Sequence, residues 1–316
     1  MYNYSKKDLE RIASETGFIR DNLEKVFRLC DVLQYLNENP LLSEHLALKG
    51  GTAINLTVFN LPRLSVDIDL DFTKECSKDE MLVIRERINR DLTNFMFTKG
   101  YALSPNTKNP HSLDSWVFYF QNAGGNKDNI KIEINYSMRN HILPIEKRKI
   151  NGNFLQIDFE VKTLALLELF GGKIKALIER TAPRDLYDIH NMLNQNIIKT
   201  TEQDMLRKIV LFYLSVGGSN KPSTTFNLDN LYRMKFPQIR SSLIPVLKKS
   251  ERFDFETAKT EVKEYLSNLF VLTKNEKLYV ENFNQGIYQS ELLFEETDII
   301  ERIKEHPMAV WKMKGK

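Results

Sequence analysis

The chain has 316 residues, 42% of them hydrophobic and 28% charged, with a formal net charge of +3. That length accommodates one large domain or two ordinary ones, and the composition is that of a soluble globular protein. No stretch approaches the roughly 20 apolar residues of a membrane-spanning helix, and so mild a charge permits contact with nucleic acid without demanding it.

The start, MYNYSKKDLERIAS, has no apolar signal core, so the expectation is a cytoplasmic chain. Up to about residue 45 the pattern is helical, with Leu23, Val26, Phe27, Cys30 and Leu33 recurring on one face. Cys30 reads as a small core residue, and two cysteines do not make a disulfide framework. LALKG enters a glycine turn as a short strand or a helix end. TAINLTVFN suits a helix with Thr52 near its start. VDIDLDF alternates strictly and predicts a half-buried strand. Residues 79–98 return to helical periodicity, and WVFYFQN (116–122) and NIKIEINYS (129–137) read as strands joined by the turn-rich AGGNKD.

After Leu155 the character changes. VKTLALLELFGGKIKALIER predicts one helix containing a glycine pair, and APRDLYDIHNML a second with Pro183 in its first turn. The remainder is mostly helical, with loops near 217–225 and 278–286. These elements predict an α+β class with a boundary near 155–160: residues 1–155 form a mixed sheet with helices, and 156–316 a mostly helical domain. Lysine and arginine cluster in EKRK (146–149), KIKALIERTAPR (173–184) and MAVWKMKGK (308–316). Each cluster, taken alone, reads as a solvated face.

The acids in VDIDLDF need an explanation. On a strand, Asp67, Asp69 and Asp71 share one face while Val66, Ile68, Leu70 and Phe72 share the other. Carboxylates two apart repel, so a cation beside them is stabilising. Hard oxygens of this kind suit Mg²⁺, which takes one or two carboxylates and completes its shell with water and phosphate oxygens. The competing reading, with about equal weight, is an exposed edge strand carrying solubilising acids. Gly50 and Gly51 let the backbone approach a ligand closely, and a helix beginning at Thr52 aims free N–H groups at an anion. The Thr52 hydroxyl either caps that helix or contacts a phosphate. Turn, helix and acid strand together are what a nucleoside triphosphate with Mg²⁺ requires.

GGTAIN followed by RLSVDIDLDF resembles the first motif of the nucleotidyltransferase superfamily, and most closely that of the AbiEii/AbiGii toxin family. ELFGGKIKALIERTAPRDLYDI (168–189) resembles the family's helical motif of Lys, Arg and R-D-x-x-D. NLEKVFRLCDVLQYL and LLFEETDIIERIKEHPMAVWKM resemble its first helix and its ending, so the likeness covers nearly the whole chain. Leu64 stands where the family usually has an aromatic.

The resemblance implies a nucleotidyltransferase (DNA polymerase β-like) sheet followed by a helical domain that contributes Lys, Arg and Asp. It implies Asp67 and Asp69 as catalytic metal ligands and a third carboxylate on a neighbouring strand. Glu133, on the polar side of NIKIEINYS, is the candidate; the alternative is a surface acid paired with Lys131. Gly50, Gly51, Thr52, Arg63 and Ser65 then bind nucleotide. Lys173 and Arg180, seven apart, share a helix face, and with the resemblance Lys173 and Asp188 lead as site residues, then Arg180 and Asp185, then Arg184. Without it, Arg184 and Asp188 simply pair on the surface. Lys175 is expected outside the site, Tyr187 either stacks on a base or lies in the core, and His190 is an ordinary helix histidine.

The implied activity is transfer of a nucleoside monophosphate from an NTP, with Mg²⁺ or alternatively Mn²⁺, by the toxin of a bacterial toxin–antitoxin or abortive-infection system. A tRNA 3′ end is the implied acceptor for some members. A separately encoded antitoxin, acting without a tight complex, is the implied partner. A small-molecule nucleotidyltransferase and a catalytically silent nucleotide-binding module are the rival readings.

Overall fold

The computed structural model describes residues 4–218 and 221–314. The last two residues of the third basic cluster, two of the expected 217–225 loop and the first three of the chain lie outside the described residues. The chain divides into two compact units, both discontinuous in sequence. One comprises the residues through Arg139, then Ile145–Thr163 and Pro245–Glu251; the other comprises Asn140–Pro144, Leu164–Ile244 and the residues from Arg252 onward.

The first unit opens with α1 (Lys6–Thr16), begun by a capping box between Ser5 and Asp8. In α2 (Arg20–Glu38) the face read from the spacing, Leu23, Val26, Phe27, Cys30 and Leu33, is buried. Burial pushes the Cys30 thiol up to about 12, so it is an inert core group. After α3 (Pro40–His45) come β1 (Leu46–Lys49), β2 (Asp67–Phe72), β3 (Ala102–Leu103), β4 (Leu113–Gln121), β5 (Lys127–Asn135), β6 (Glu146–Lys149) and β7 (Glu160–Thr163). They form one mixed sheet in the order β3-β4-β5-β2-β1-β7-β6. β2 is its central strand, antiparallel to β1 and parallel to β5.

Between β1 and β2 the expected helix begins earlier than Thr52. α4 (Gly50–Ala53) turns directly out of β1 and widens into a π-helical turn at Ile54–Val58. Gly50 makes this possible, because its φ of +71° is a conformation that residues with a Cβ rarely adopt. The Asn55 amide and the Thr57 hydroxyl donate to the Gly51 and Ala53 carbonyls at 2.9 and 2.7 Å. α5 (Lys78–Thr98), capped by Ser77, follows β2 as the periodicity predicts.

The expected long helix from Val161 is instead strand then helix. Val161 to Thr163 belong to β7, which pairs with β1 and β6, so the sheet claims them before any helix can start. The second unit's α6 (Leu166–Arg180) begins only after this, followed by α7 (Pro183–Asn194), with Pro183 in its first turn, and α8 (Gln203–Gly217). A Cβ on Gly171 would stand 2.6 Å from Ile209 Cγ2, so this glycine of α6 serves close packing against α8, whereas a Cβ on Gly172 would meet nothing within 4 Å. Glu168 fastens Asn140–Pro144 to this unit. Its carboxylate accepts from the Ile142 and Leu143 amides at 2.9 and 3.2 Å and from the Tyr213 hydroxyl.

The loop expected at 278–286 is also mostly helix, running from Lys274 to Asn284. A Thr273–Glu276 capping box starts it, and Tyr279, Val280 and Phe283 bury one face. Among the described residues no helix is long and apolar enough to cross a membrane.

Candidate active site

The first unit's site is built by strand register. Asp69 stands opposite Lys49 of β1 and opposite Glu133 of β5; Asp67 stands opposite Lys131, and Asp71 opposite Asn135. Directly paired residues share a face of the sheet. Asp67, Asp69, Asp71, Lys49, Lys131, Glu133 and Asn135 therefore lie on one face, while Ile68, Leu70 and Phe72 are buried with Ile132 and Ile134 on the other. The alternation is as the sequence predicts, but the strand is central rather than an exposed edge.

The three aspartates are not equivalent. Asp67 and Asp69 are half-buried, whereas Asp71 is buried and receives Lys49 Nζ at 2.5 Å. Lys49 is a functional candidate that the sequence reading missed. Its signal was available: a lysine immediately before the glycine pair, at the end of a strand antiparallel to the acids.

Gly50 is pressed against the acid face. A Cβ added to it would stand 2.6 Å from Asp69 Oδ2 and 3.3 Å from Asp69 Cβ. Gly51 follows in the half-exposed first turn of α4. Thr52 neither caps this helix nor faces solvent. It is fully buried; its hydroxyl donates to the Asp67 carbonyl and shares a 2.9 Å hydrogen bond with the Ser65 hydroxyl. It ties the glycine turn to the start of β2, with Ser65 completing the brace. Arg63 is likewise buried, donating to the Leu64 carbonyl at 2.9 Å and bridging to Leu247. Leu64 is fully buried, so an aliphatic side chain fills the aromatic's place.

Glu133 lies on the acid face but its carboxylate is 2.9 Å from Lys131 Nζ, the pairing that the sequence left open as the alternative. Among the described residues no three His, Cys, Asp or Glu side chains gather closely enough to hold a metal ion. The donor set Asp67 and Asp69 fits one hard divalent cation that shares its shell with phosphate oxygens and water. A three-carboxylate cradle including Glu133 is not assembled.

In the second unit, Lys173 of α6 is buried between two aspartates of α7, with Nζ 3.0 Å from Asp185 Oδ1 and 3.1 Å from Asp188 Oδ2. Arg180 adds a fork to the same acid, its Nε and Nη2 donating to Asp185 at 2.7 and 2.9 Å. The two cations read as sharing a helix face do converge, and they converge on Asp185. Burial opposes ionisation of that carboxyl, but Lys173 and Arg180 outweigh it and hold it below the usual carboxylate range. Arg184 points elsewhere, donating to the Ser242 carbonyl at 2.6 Å. Lys175 pairs with Glu179 at 2.7 Å, Tyr187 is core against Phe253, and His190 meets Glu261 at 2.9 Å.

Two cations of the first and third basic clusters are engaged locally. Arg148 pairs with Glu146 at 2.5 Å, and Lys312 donates to the Ser215 and Gly218 carbonyls at the end of α8.

A mixed sheet, a glycine turn packed on its acid strand and a helical unit carrying Lys, Arg and two Asp are the features expected of a nucleotidyltransferase, and the family match shows that class. The sequence profile of the nucleotidyl transferase AbiEii toxin family, a type IV toxin–antitoxin system, matches residues 31–268, and the chain belongs to that family. Among solved structures it is similar to MenT4, a nucleotidyltransferase toxin of Mycobacterium tuberculosis H37Rv. The identity is 15%, 91% of this chain and 100% of that one are covered, and the TM-score is 0.63, a likeness of fold. JHP933 of Helicobacter pylori aligns at 17% identity over 85% of this chain and 98% of its own, with a TM-score of 0.48. No curated protein sequence gives a significant match. The chain is thus a nucleotidyltransferase toxin of a type IV toxin–antitoxin system, with an NTP substrate and a separate antitoxin.

Proposed function

We propose that this toxin moves a nucleoside monophosphate from an NTP to the 3′ end of an RNA, with tRNA the leading acceptor, using Mg²⁺ and working in the cytoplasm. The observation that carries this is the contact of Gly50 with Asp69: a turn able to admit a phosphate lies directly against a carboxylate able to hold the cation that accompanies it. The acceptor hydroxyl oxygen bonds to the α-phosphorus and gives its proton to solvent water, the bond from that phosphorus to the bridging oxygen breaks, and pyrophosphate leaves with the electron pair. A bound divalent ion supplies charge neutralisation on the phosphates and a more acidic acceptor hydroxyl. Mn²⁺ satisfies the same hard oxygen donors.

Asp67 and Asp69 hold the ion, and the turn at Gly50 and Gly51 receives the phosphates. Thr52 and Ser65 act by fixing that turn to β2, and Arg63 by holding the loop that leads into it. Glu133 enters by its register opposite Asp69 and must exchange Lys131 to take part. For the second unit the reading rests on the motif: Lys173 and Arg180 offset phosphate charge, with Asp185 and Asp188 positioning them. The antitoxin acts without a tight complex.

Incubation with labelled NTPs, total RNA and Mg²⁺ tests the proposal. Label in RNA supports it, and absence of label from every fraction overturns it. Label in a small molecule supports a second reading, favoured by the local pairing of Arg148, Lys175 and Lys312, which leaves less basic surface for a polyanion. Expression alone, with the antitoxin, and as Asp67→Ala tests toxicity: arrest is expected only in the first case.

A further inference from the structure

The geometry points to Lys49 as a positioning residue that decides which of the three β2 aspartates hold the divalent ion. The inference rests on the proposed assignment of Asp67 and Asp69 as the ligands.

Lys49 is the last residue of β1 and the residue before Gly50, so it joins the strand to the phosphate turn. Its register partner is Asp69, yet its ammonium lies 2.5 Å from Asp71 Oδ1. The Asp71 side chain is 4% exposed and that of Lys49 27%, so the pair lies at the buried end of the acid face with only its cation partly open to solvent. Three carboxylates at alternate positions on one strand offer a divalent ion two competing adjacent pairs: Asp67 with Asp69, and Asp69 with Asp71. An ammonium within hydrogen-bonding distance of Asp71 offsets the charge of that acid and occupies a lone pair an ion needs. It thereby biases the ion toward Asp67 and Asp69, the pair next to the Gly50 turn. A hydrophobic residue at position 49 would leave the two pairs in competition, and a neutral residue at position 71 would leave an ammonium facing Asp69.

This charge balance predicts affinity shifts of opposite sign, and the positioning role adds that tighter ion binding in Lys49→Met comes with slower transfer, which a merely structural ion pair would not produce. Mn²⁺ binding to the full chain without NTP is measured by electron paramagnetic resonance for wild type, Lys49→Met, Asp71→Asn and the double variant, alongside nucleotide transfer and melting curves. Lys49→Met should bind Mn²⁺ more tightly, by about three- to tenfold, because a cation has left the face, while its transfer rate falls because the ion is shared with Asp71. Asp71→Asn should bind Mn²⁺ more weakly by a similar factor. The double variant, neutral at both positions, should return affinity and transfer to within about threefold of wild type. Shifts of the same sign in the two single variants overturn the inference, as does a double variant no closer to wild type than either single one. The metal assignment is judged separately: unchanged Mn²⁺ affinity in both Asp67→Ala and Asp69→Ala would sink that reading, whatever position 49 does.

Discussion

Gly50 and Asp69 are in such close contact that a single methyl group on the glycine would stand 2.6 Å from the aspartate's Oδ2. Gly50→Ala should therefore cost about 1–2 kcal/mol through its left-handed backbone and, in addition, displace Asp69. Gly125 has a φ of +85° with nothing within 4 Å of an added Cβ, so Gly125→Ala imposes the backbone strain alone. Both variants should melt a few degrees early, and only Gly50→Ala should lose nucleotide transfer by tenfold or more. Equal transfer rates in the two would show that the contact has no functional role.

Asp67→Ala and Asp69→Ala should abolish transfer and growth arrest while keeping a cooperative melting curve. Relief of repulsion between neighbouring carboxylates leaves apo stability unchanged or raised. Wild-type transfer in either variant contradicts the metal assignment.

Glu133→Gln and Lys131→Ala separate the two roles open to Glu133. If the carboxylate joins the site when NTP binds, Glu133→Gln should reduce transfer by at least tenfold and Lys131→Ala should leave it intact. Full activity in Glu133→Gln would confine that acid to its 2.9 Å pairing with Lys131.

Lys173→Ala should destabilise the protein by about 3–5 kcal/mol, because it removes the ammonium from two buried carboxylates. Lys175→Ala, which breaks an i,i+4 pair at the surface, should cost less than about 1 kcal/mol. Urea denaturation distinguishes them, and equal midpoints would contradict the buried cluster.

The Asp185 carboxyl titrates below the usual range in the folded protein, so the folded state binds fewer protons there than the unfolded state. The stability it contributes is complete above its unfolded value, near pH 4, and is lost as pH falls through the lower folded value. Urea midpoints measured from pH 7 down to about pH 3 should therefore fall less steeply in Asp185→Asn than in wild type. Parallel curves would mean that Asp185 has the same proton affinity folded and unfolded.

The parts of this protein legible in the sequence are those governed by local periodicity. Alternation placed the acids of β2 on one face, spacings of three and four found the buried face of α2, and Pro183 marked the first turn of α7. Motif spacing carried the family. What the sequence could not supply depends on partners distant in the chain. Val161 to Thr163 look helical until β1 and β6 claim them as a strand. Lys173 and Arg180 share a face, but only the approach of α7 puts Asp185 and Asp188 against Lys173. Three aspartates alternate identically along β2, and pairing with β1 makes them unlike: it sets Lys49 opposite Asp69, from where its ammonium reaches Asp71. A strand's own period decides which face a side chain takes, whereas the neighbouring strand's register decides which charge it meets there, and that is fixed only when the sheet assembles.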